Sequence, residues 1–186
     1  MTPRQPVLPH LWLMTDERLG DGLTEAIDRL PRGSGVIFRH YSLPAAKRRA
    51  LFEAVSRRTR RRGLVLLLAG DEGMARLWGA DGAHHRQPHA PRFGTAPVHD
   101  RREMRAAERS GAAALLLSPV HATRSHPGAS GLGWMRFAAL LRATRLPVIA
   151  LGGMTAQRGR QACLLGAYGW AAIDAWGGSA GGKKRG

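Results

Sequence analysis

In the stretch PVIALGGMTAQRGRQACLLGA, Pro147 to Ala167, two adjacent glycines, Gly152 and Gly153, follow a short apolar run and precede a helix start capped by Thr155. Residues without side chains let backbone N–H groups come close to an anion, and the amino end of the next helix adds partial positive charge. The pair therefore has the makings of a phosphate seat, although a merely tight turn would use the same residues. Histidines are the other reactive group. His84, His85 and His89 are near enough in sequence to suggest a metal site, but no carboxylate or cysteine stands with them, so packed or backbone-bonded rings are the simpler reading. His99 is read the same way. The one cysteine, Cys163, excludes an internal disulfide and a multi-cysteine metal centre, and reads as a small buried apolar residue.

What must position these residues is a repeated sentence: a short apolar run, a polar or glycine break, then a helical stretch. Eight strand candidates begin at Leu11, Gly35, Leu64, Gly82, Thr95, Ala113, Pro147 and Gly169. Between them lie helical stretches, several opened by Asp or Thr and closed by Gly, as caps require. The connection RQPHAPRFG is broken by proline and is expected to hold little helix. Strands alternating with helices argue for parallel pairing through right-handed crossovers, and eight such units for a closed (β/α)8 barrel. At 186 residues the chain is short for that fold, and the end GGSAGGKKRG is too glycine-rich for a helix, so the expected barrel is a shortened one lacking its last helix. An open doubly wound sheet is the alternative. In the barrel, Gly152 and Gly153 end the seventh strand, where a phosphate commonly binds.

A hydrophobic content of 44% supports one domain, placed at residues 1–176, with a disordered Gly- and Lys-rich tail at 177–186. No apolar run approaches the roughly 20 residues of a membrane span, and the start lacks a signal-peptide stretch, so a cytoplasmic protein without a membrane partner is expected. The net charge of +16 favours anionic partners, and its densest run is RRTRRR, Arg57 to Arg62. That run closes a helix, where cations complement the dipole and meet solvent. No zinc-finger spacing or base-stacking signature accompanies it, which leaves nucleic-acid association as a lesser alternative. The five tryptophans, Trp12, Trp78, Trp134, Trp170 and Trp176, are spread as core packing would have them, and Trp134 follows a glycine-rich loop that would suit a lid.

Taken in order, LWLMTD, GVIFRHY, GADGAHHRQ, VHDRREMRAAERSGAAALLLSPV, PVIALGGMTAQ and LLGAYGWAAIDA resemble the thiamine-phosphate synthase/TenI family, over about Leu11 to Trp176. The resemblance implies a (β/α)8 barrel that binds a phosphorylated thiazole. Synthases of the family couple it to a pyrimidine pyrophosphate with Mg2+; the TenI branch tautomerises the thiazole ring. The family's Gln-x-Arg-x-Lys of strand 2 corresponds to Ile37, Arg39 and Tyr41, which would alternate onto one strand face. Its metal-binding aspartate after strand 3 corresponds to Asp71, across a one-residue gap. The second metal aspartate falls at His89, and the serine of Ser-x-His on strand 5 at Pro97, before His99. In the strand-6 loop the resemblance points to Ser118, Pro119, Thr123, Ser125 and His126, with histidine in place of lysine. Asp174 stands where the family usually has a serine beside the phosphate.

These departures carry chemical weight. Synthases neutralise a departing pyrophosphate with metal and cations, and here two lysines and one metal carboxylate are replaced. Arg39 and Asp71 are what remains for that reaction, with His126 able to carry charge in place of the lysine, and a degenerate barrel that keeps the fold and a ligand without turnover is an alternative. A carboxylate at Asp174 would repel an anion unless it is paired or turned away. Tautomerisation asks only for a positioned acid–base group, the natural work of histidine. TenI proteins place that histidine at the position of Pro119; His121, two residues on, is the candidate for the same space, with a backbone-bonded strand-end histidine as the alternative. The expected site thus comprises His121, Arg39 and His126 as catalytic groups, Gly152, Gly153, Thr123, Ser125 and Asp174 around the phosphate, and Asp71 toward Mg2+.

Overall fold

The computed structural model describes residues 6–85, 93–123 and 130–176. Eight strands follow one another: β1 (Leu11–Met14), β2 (Gly35–Phe38), β3 (Val65–Ala69), β4 (Gly82–His84), β5 (Gly94–Val98), β6 (Ala114–Leu117), β7 (Val148–Ala150) and β8 (Gly169–Ala172). Each pairs in parallel with the next, and β8 returns to β1, with Leu11 opposite Trp170 and Leu13 opposite Ala172. All eight strands expected from the sequence are present, and the ring is closed rather than open.

Six helices cover the strands among the described residues: α1 (Leu23–Arg29), α2 (Ala45–Arg62), α3 (Glu72–Trp78), α4 (Arg101–Arg109), α5 (Gly133–Leu141) and α6 (Ala156–Leu164). The expected caps form. Asp71, Asp100 and Thr155 accept from the backbone N–H of Met74, Glu103 and Arg158, satisfying donors that the first helical turn leaves open. Along α2, Phe52, Val55, Ser56 and Thr59 recur at helical spacing and form its buried face, while Arg60 to Arg62 occupy the last turn. Gly63 ends it in a left-handed conformation. α5 stops at Leu141, with Arg142 as its C-cap. After β8 only a 3-10 turn, Asp174–Trp176, follows within the described residues, in place of an eighth helix. The proline-broken connection and the tail at 177–186 lie outside those residues.

Alternation along the strands sorts side chains into two places. Inside the barrel pack Trp12, Met14, Ile37, Leu67, Ala69, Phe93, Ala114, Leu116, Ile149 and Ala171. Outside, two further clusters lie between strands and helices. Trp12 is fully buried, and its indole N–H donates to the Pro9 carbonyl at 2.7 Å, so its polar atom is satisfied within the core. Cys163 is exposed, contrary to the expected burial. α6 lies so closely on Trp170 that only small residues fit beneath it, and Gly159 and Ala162 take that face, leaving position 163 turned outward. No helix among the described residues is long and apolar enough to cross a membrane.

Candidate functional site

At the carboxyl ends of the strands lies a cavity of about 330 Å3. Met14, Leu151, Met154, Ala172 and Ile173 make its walls largely apolar, and Arg39, His99, Ser118, Thr123 and Asp174 add polar groups. Gly152 and Gly153 form part of the same wall.

Both glycines have left-handed backbone, with φ of 97° and 61°. A Cβ at position 152 would sit 2.7 Å from the Cα of Pro119, and one at 153 would sit 2.7 Å from the Ala122 carbonyl oxygen. The strand-6 loop is thus pressed onto the turn, so conformation and space both demand glycine. Their carbonyls are occupied: that of Gly152 accepts from the His121 N–H at 3.1 Å, and that of Gly153 from Arg158. Their N–H groups meet no acceptor among the described residues. The tight turn is present, and the two residues that form it line the cavity.

His99 stands just beyond β5. Its Nδ1 lies 2.7 Å from the Ser118 carbonyl, and its backbone N–H donates to Glu103 at 2.8 Å. A carbonyl can only accept, so Nδ1 carries the proton of the neutral ring and Nε2 keeps its lone pair. The sequence reading treated His99 as a structural ring; the geometry sets it in the cavity, and its position two residues past the strand interior was the available signal.

Arg39 reaches the cavity but is heavily engaged. Its guanidinium pairs with Asp16 and donates through Nε to the Thr15 carbonyl at 2.9 Å. Burial pushes the Asp16 carboxyl up, but hydrogen bonds from Arg18 and the charges of Arg39 and Arg18 outweigh it and hold the pKa below its ordinary value. Arg18 is raised first by its bond to Asp16, and the nearby charge of Asp174 adds to this. A chain of alternating charge, Arg39, Asp16, Arg18 and Asp174, therefore lies along this side of the cavity, and the odd carboxylate of Asp174 is compensated. Sequence reasoning missed Asp16 and Arg18, although the strand-end MTD was quoted in the resemblance.

Other expected residues fall elsewhere. The face shared by Ile37, Arg39 and Tyr41 does not persist: His40 has a φ of 46°, which breaks the extended run after Phe38. Tyr41 is exposed, with the Arg48 guanidinium 5.3 Å from its ring centre. His121 does not line the cavity. Its ring meets Trp134 edge to face at 4.6 Å, and its buried Nε2 has no partner among the described residues. Consecutive N–H groups of Val120 and His121 bond to Leu151 and Gly152, so the segment no longer alternates as a strand, and the expected shared face with Pro119 is lost. Burial and the charge of Arg158 both lower the His121 pKa. Trp134 also packs on Phe137, as part of the outer core. Ser125 and His126 lie outside the described residues.

Asp71 is exposed and does not line the cavity; one oxygen caps α3. Among the described residues no three His, Cys, Asp or Glu side chains are grouped to hold a metal ion. His84 is buried in the upper barrel with Nδ1 2.9 Å from the Thr95 hydroxyl, a packed ring as expected.

The model of the thiamine monophosphate synthase family (TMP-TENI) matches residues 11–176. A protein of Aquifex aeolicus described as "Putative thiamine-phosphate synthase 2" is 28% identical over 180 residues, covering 90% of this chain and 97% of its own. A thiamine-phosphate synthase of Chloroflexus aurantiacus is 27% identical, covering 89% of this chain and 84% of its own. Among solved structures, thiamine phosphate pyrophosphorylase from Pyrococcus furiosus superposes with a TM-score of 0.74 at 22% identity, over 91% of this chain and 88% of that one. An HpcH/HpaI aldolase from Desulfitobacterium hafniense shares the fold alone, with a TM-score of 0.60 at 12% identity over 89% and 86% of the two chains. A closed eight-stranded barrel, a strand-end cavity bearing the glycine pair and a family match across the whole barrel lead to one conclusion: this chain belongs to the thiamine monophosphate synthase/TenI family.

Proposed function

We propose that the cavity binds a phosphorylated thiazole and moves a proton on its ring. The observation that carries this reading is the pair of N–H groups at Gly152 and Gly153, which meet no acceptor among the described residues and belong to the wall of a largely apolar cavity. The apolar side chains suit a thiazole ring, and the free donors suit its phosphate. His99, with Nδ1 engaged by Ser118, offers Nε2 as the base and, once protonated, as the acid that returns the proton elsewhere on the ring. Ser118 and Thr123 supply hydroxyls on the same wall.

Coupling to a pyrimidine pyrophosphate is the second reading, favoured by the names of the two curated relatives. It asks for free cations and metal ligands, whereas Arg39 is paired with Asp16 and Asp71 is engaged as a cap. Coupling is therefore expected to be absent, or slower than roughly 1 per second.

Calorimetric titration with the phosphorylated thiazole and with its unphosphorylated alcohol tests the binding. The phosphate is expected to bind at least about tenfold more tightly, a difference of about 1.4 kcal/mol. Equal affinities would remove the seat, and with it this reading.

A further inference from the structure

A second concave site lies on the outer wall of the barrel, between α1 and α2. It encloses about 450 Å3 and shares no lining residue with the strand-end cavity. One end is cationic: Arg57, Arg58, Arg61 and Arg62 line it, facing the single carboxylate of Asp28. The remainder is uncharged, with Leu51, Ala54 and Thr24 among its walls.

The four arginines are not equivalent. Arg58 is spent on Asp28, its Nε 2.7 Å from Oδ1 and its Nη2 on Oδ2. Arg62 donates through Nη2 to the Leu30 carbonyl, but its Nε is buried and has no acceptor. Arg57 and Arg61, one helical turn apart, have no hydrogen bond or ion pair among the described residues. Like charges at this spacing repel, and a buried N–H without an acceptor is destabilising. An anion in the groove would relieve both, and guanidinium groups are especially suited to phosphate oxygens.

We infer that the groove between α1 and α2 binds a small organic anion of the nucleotide class, its phosphates among Arg57, Arg61 and Arg62 and its uncharged body beside Leu51 and Ala54. The asymmetry of the groove selects this class. A nucleic-acid strand would be matched by cations along the whole track, whereas here they gather at one end and the other end is neutral.

Titration of the whole chain with ADP, inorganic pyrophosphate and adenosine tests the inference. ADP is expected to bind, pyrophosphate at least tenfold more weakly, and adenosine not measurably. The double variant Arg57→Gln/Arg61→Gln, whose side chains hold no hydrogen bond or ion pair among the described residues, should keep the thermal midpoint and lose at least tenfold in ADP affinity. Binding of the phosphorylated thiazole should be unchanged in that variant, which separates this site from the strand-end cavity. Absence of ADP binding, or equal affinity in the variant, would overturn the proposal. Displacement of ADP by a DNA duplex, with steep salt dependence, would overturn the nucleotide assignment in favour of nucleic acid. Pyrophosphate binding as tightly as ADP would show that the neutral half of the groove contributes nothing, and would equally overturn it.

Discussion

The imidazole of His99, just past β5, is bonded through Nδ1 to the backbone carbonyl of Ser118, just past β6, at 2.7 Å. Two neighbouring strands thus set the tautomer of the one histidine that the described cavity wall contains. His99→Gln keeps a polar side chain but cannot exchange a proton. Its turnover of the phosphorylated thiazole is expected to fall by about 10²–10⁴-fold with KM nearly unchanged. Full kcat in that variant would take the proton away from His99.

Replacing His121 gives the complementary result. Its buried Nε2, beside Trp134, has no partner among the described residues. His121→Phe keeps an aromatic ring against the indole and removes the orphaned atom, so the thermal midpoint should hold or rise and turnover should persist. Loss of kcat at unchanged midpoint would return His121 to the chemistry.

The charge chain beside the cavity predicts opposite effects at two neighbouring members, Asp174 and Arg18. Asp174→Ser removes a carboxylate from the ligand's surroundings and should tighten phosphate binding by up to roughly fivefold, the scale of a solvent-screened pair. Arg18→Gln leaves Asp174 without its nearby cation and should weaken it. If titration finds both variants equal to the wild type, Asp174 faces away from the ligand.

Gly153→Val should destabilise the fold by a few kcal/mol, measured by urea denaturation, because it meets both a left-handed φ of 61° and the Ala122 carbonyl. A variant with wild-type stability would mean that the strand-6 loop yields readily. The same crowding explains what was legible in the sequence. The paired glycines at the end of β7 could be read as significant from their place in the strand count. What presses on them could not, because Pro119 and Ala122 are some thirty residues away and meet them only through the register of β6 on β7. Local patterns likewise revealed all eight strands and the Asp and Thr caps, which depend on near neighbours. The alternation at Ile37, Arg39 and Tyr41 failed because a single left-handed residue, His40, ends it, and histidine, though enriched in that conformation, adopts it too seldom for its type alone to announce it. The Arg39 pairing with Asp16 joins two strand ends, and such long-range choices between partners leave no periodic trace.

Acid should weaken the fold through His84. Burial first, then the charges of Arg39 and His85, lowers its pKa from 6.5 to about 3. The unfolded chain takes up a proton below about pH 6.5 that the folded chain refuses. The stability held by the neutral ring is therefore whole above that value and is lost as pH falls toward 3, at up to about 1.4 kcal/mol per pH unit. His84→Gln should flatten the change in denaturation midpoint between pH 7 and pH 4. An unchanged slope would show that His84 is protonated in the folded chain.

Where an eighth helix would lie, the described chain has one short turn ending in Trp176. That indole stacks on Trp170 at 5.3 Å, its carbonyl accepts from Arg29 of α1, and its ring packs against both of the outer clusters. One cluster belongs to the first four strands and the other to the last four, and Trp176 is the side chain they share. The outer packing is therefore divided into halves, and Trp176 bridges them beside the β1–β8 ladder, while that ladder and the shared inner core close the ring. A change at position 176 consequently acts on the union of the halves rather than on either half alone.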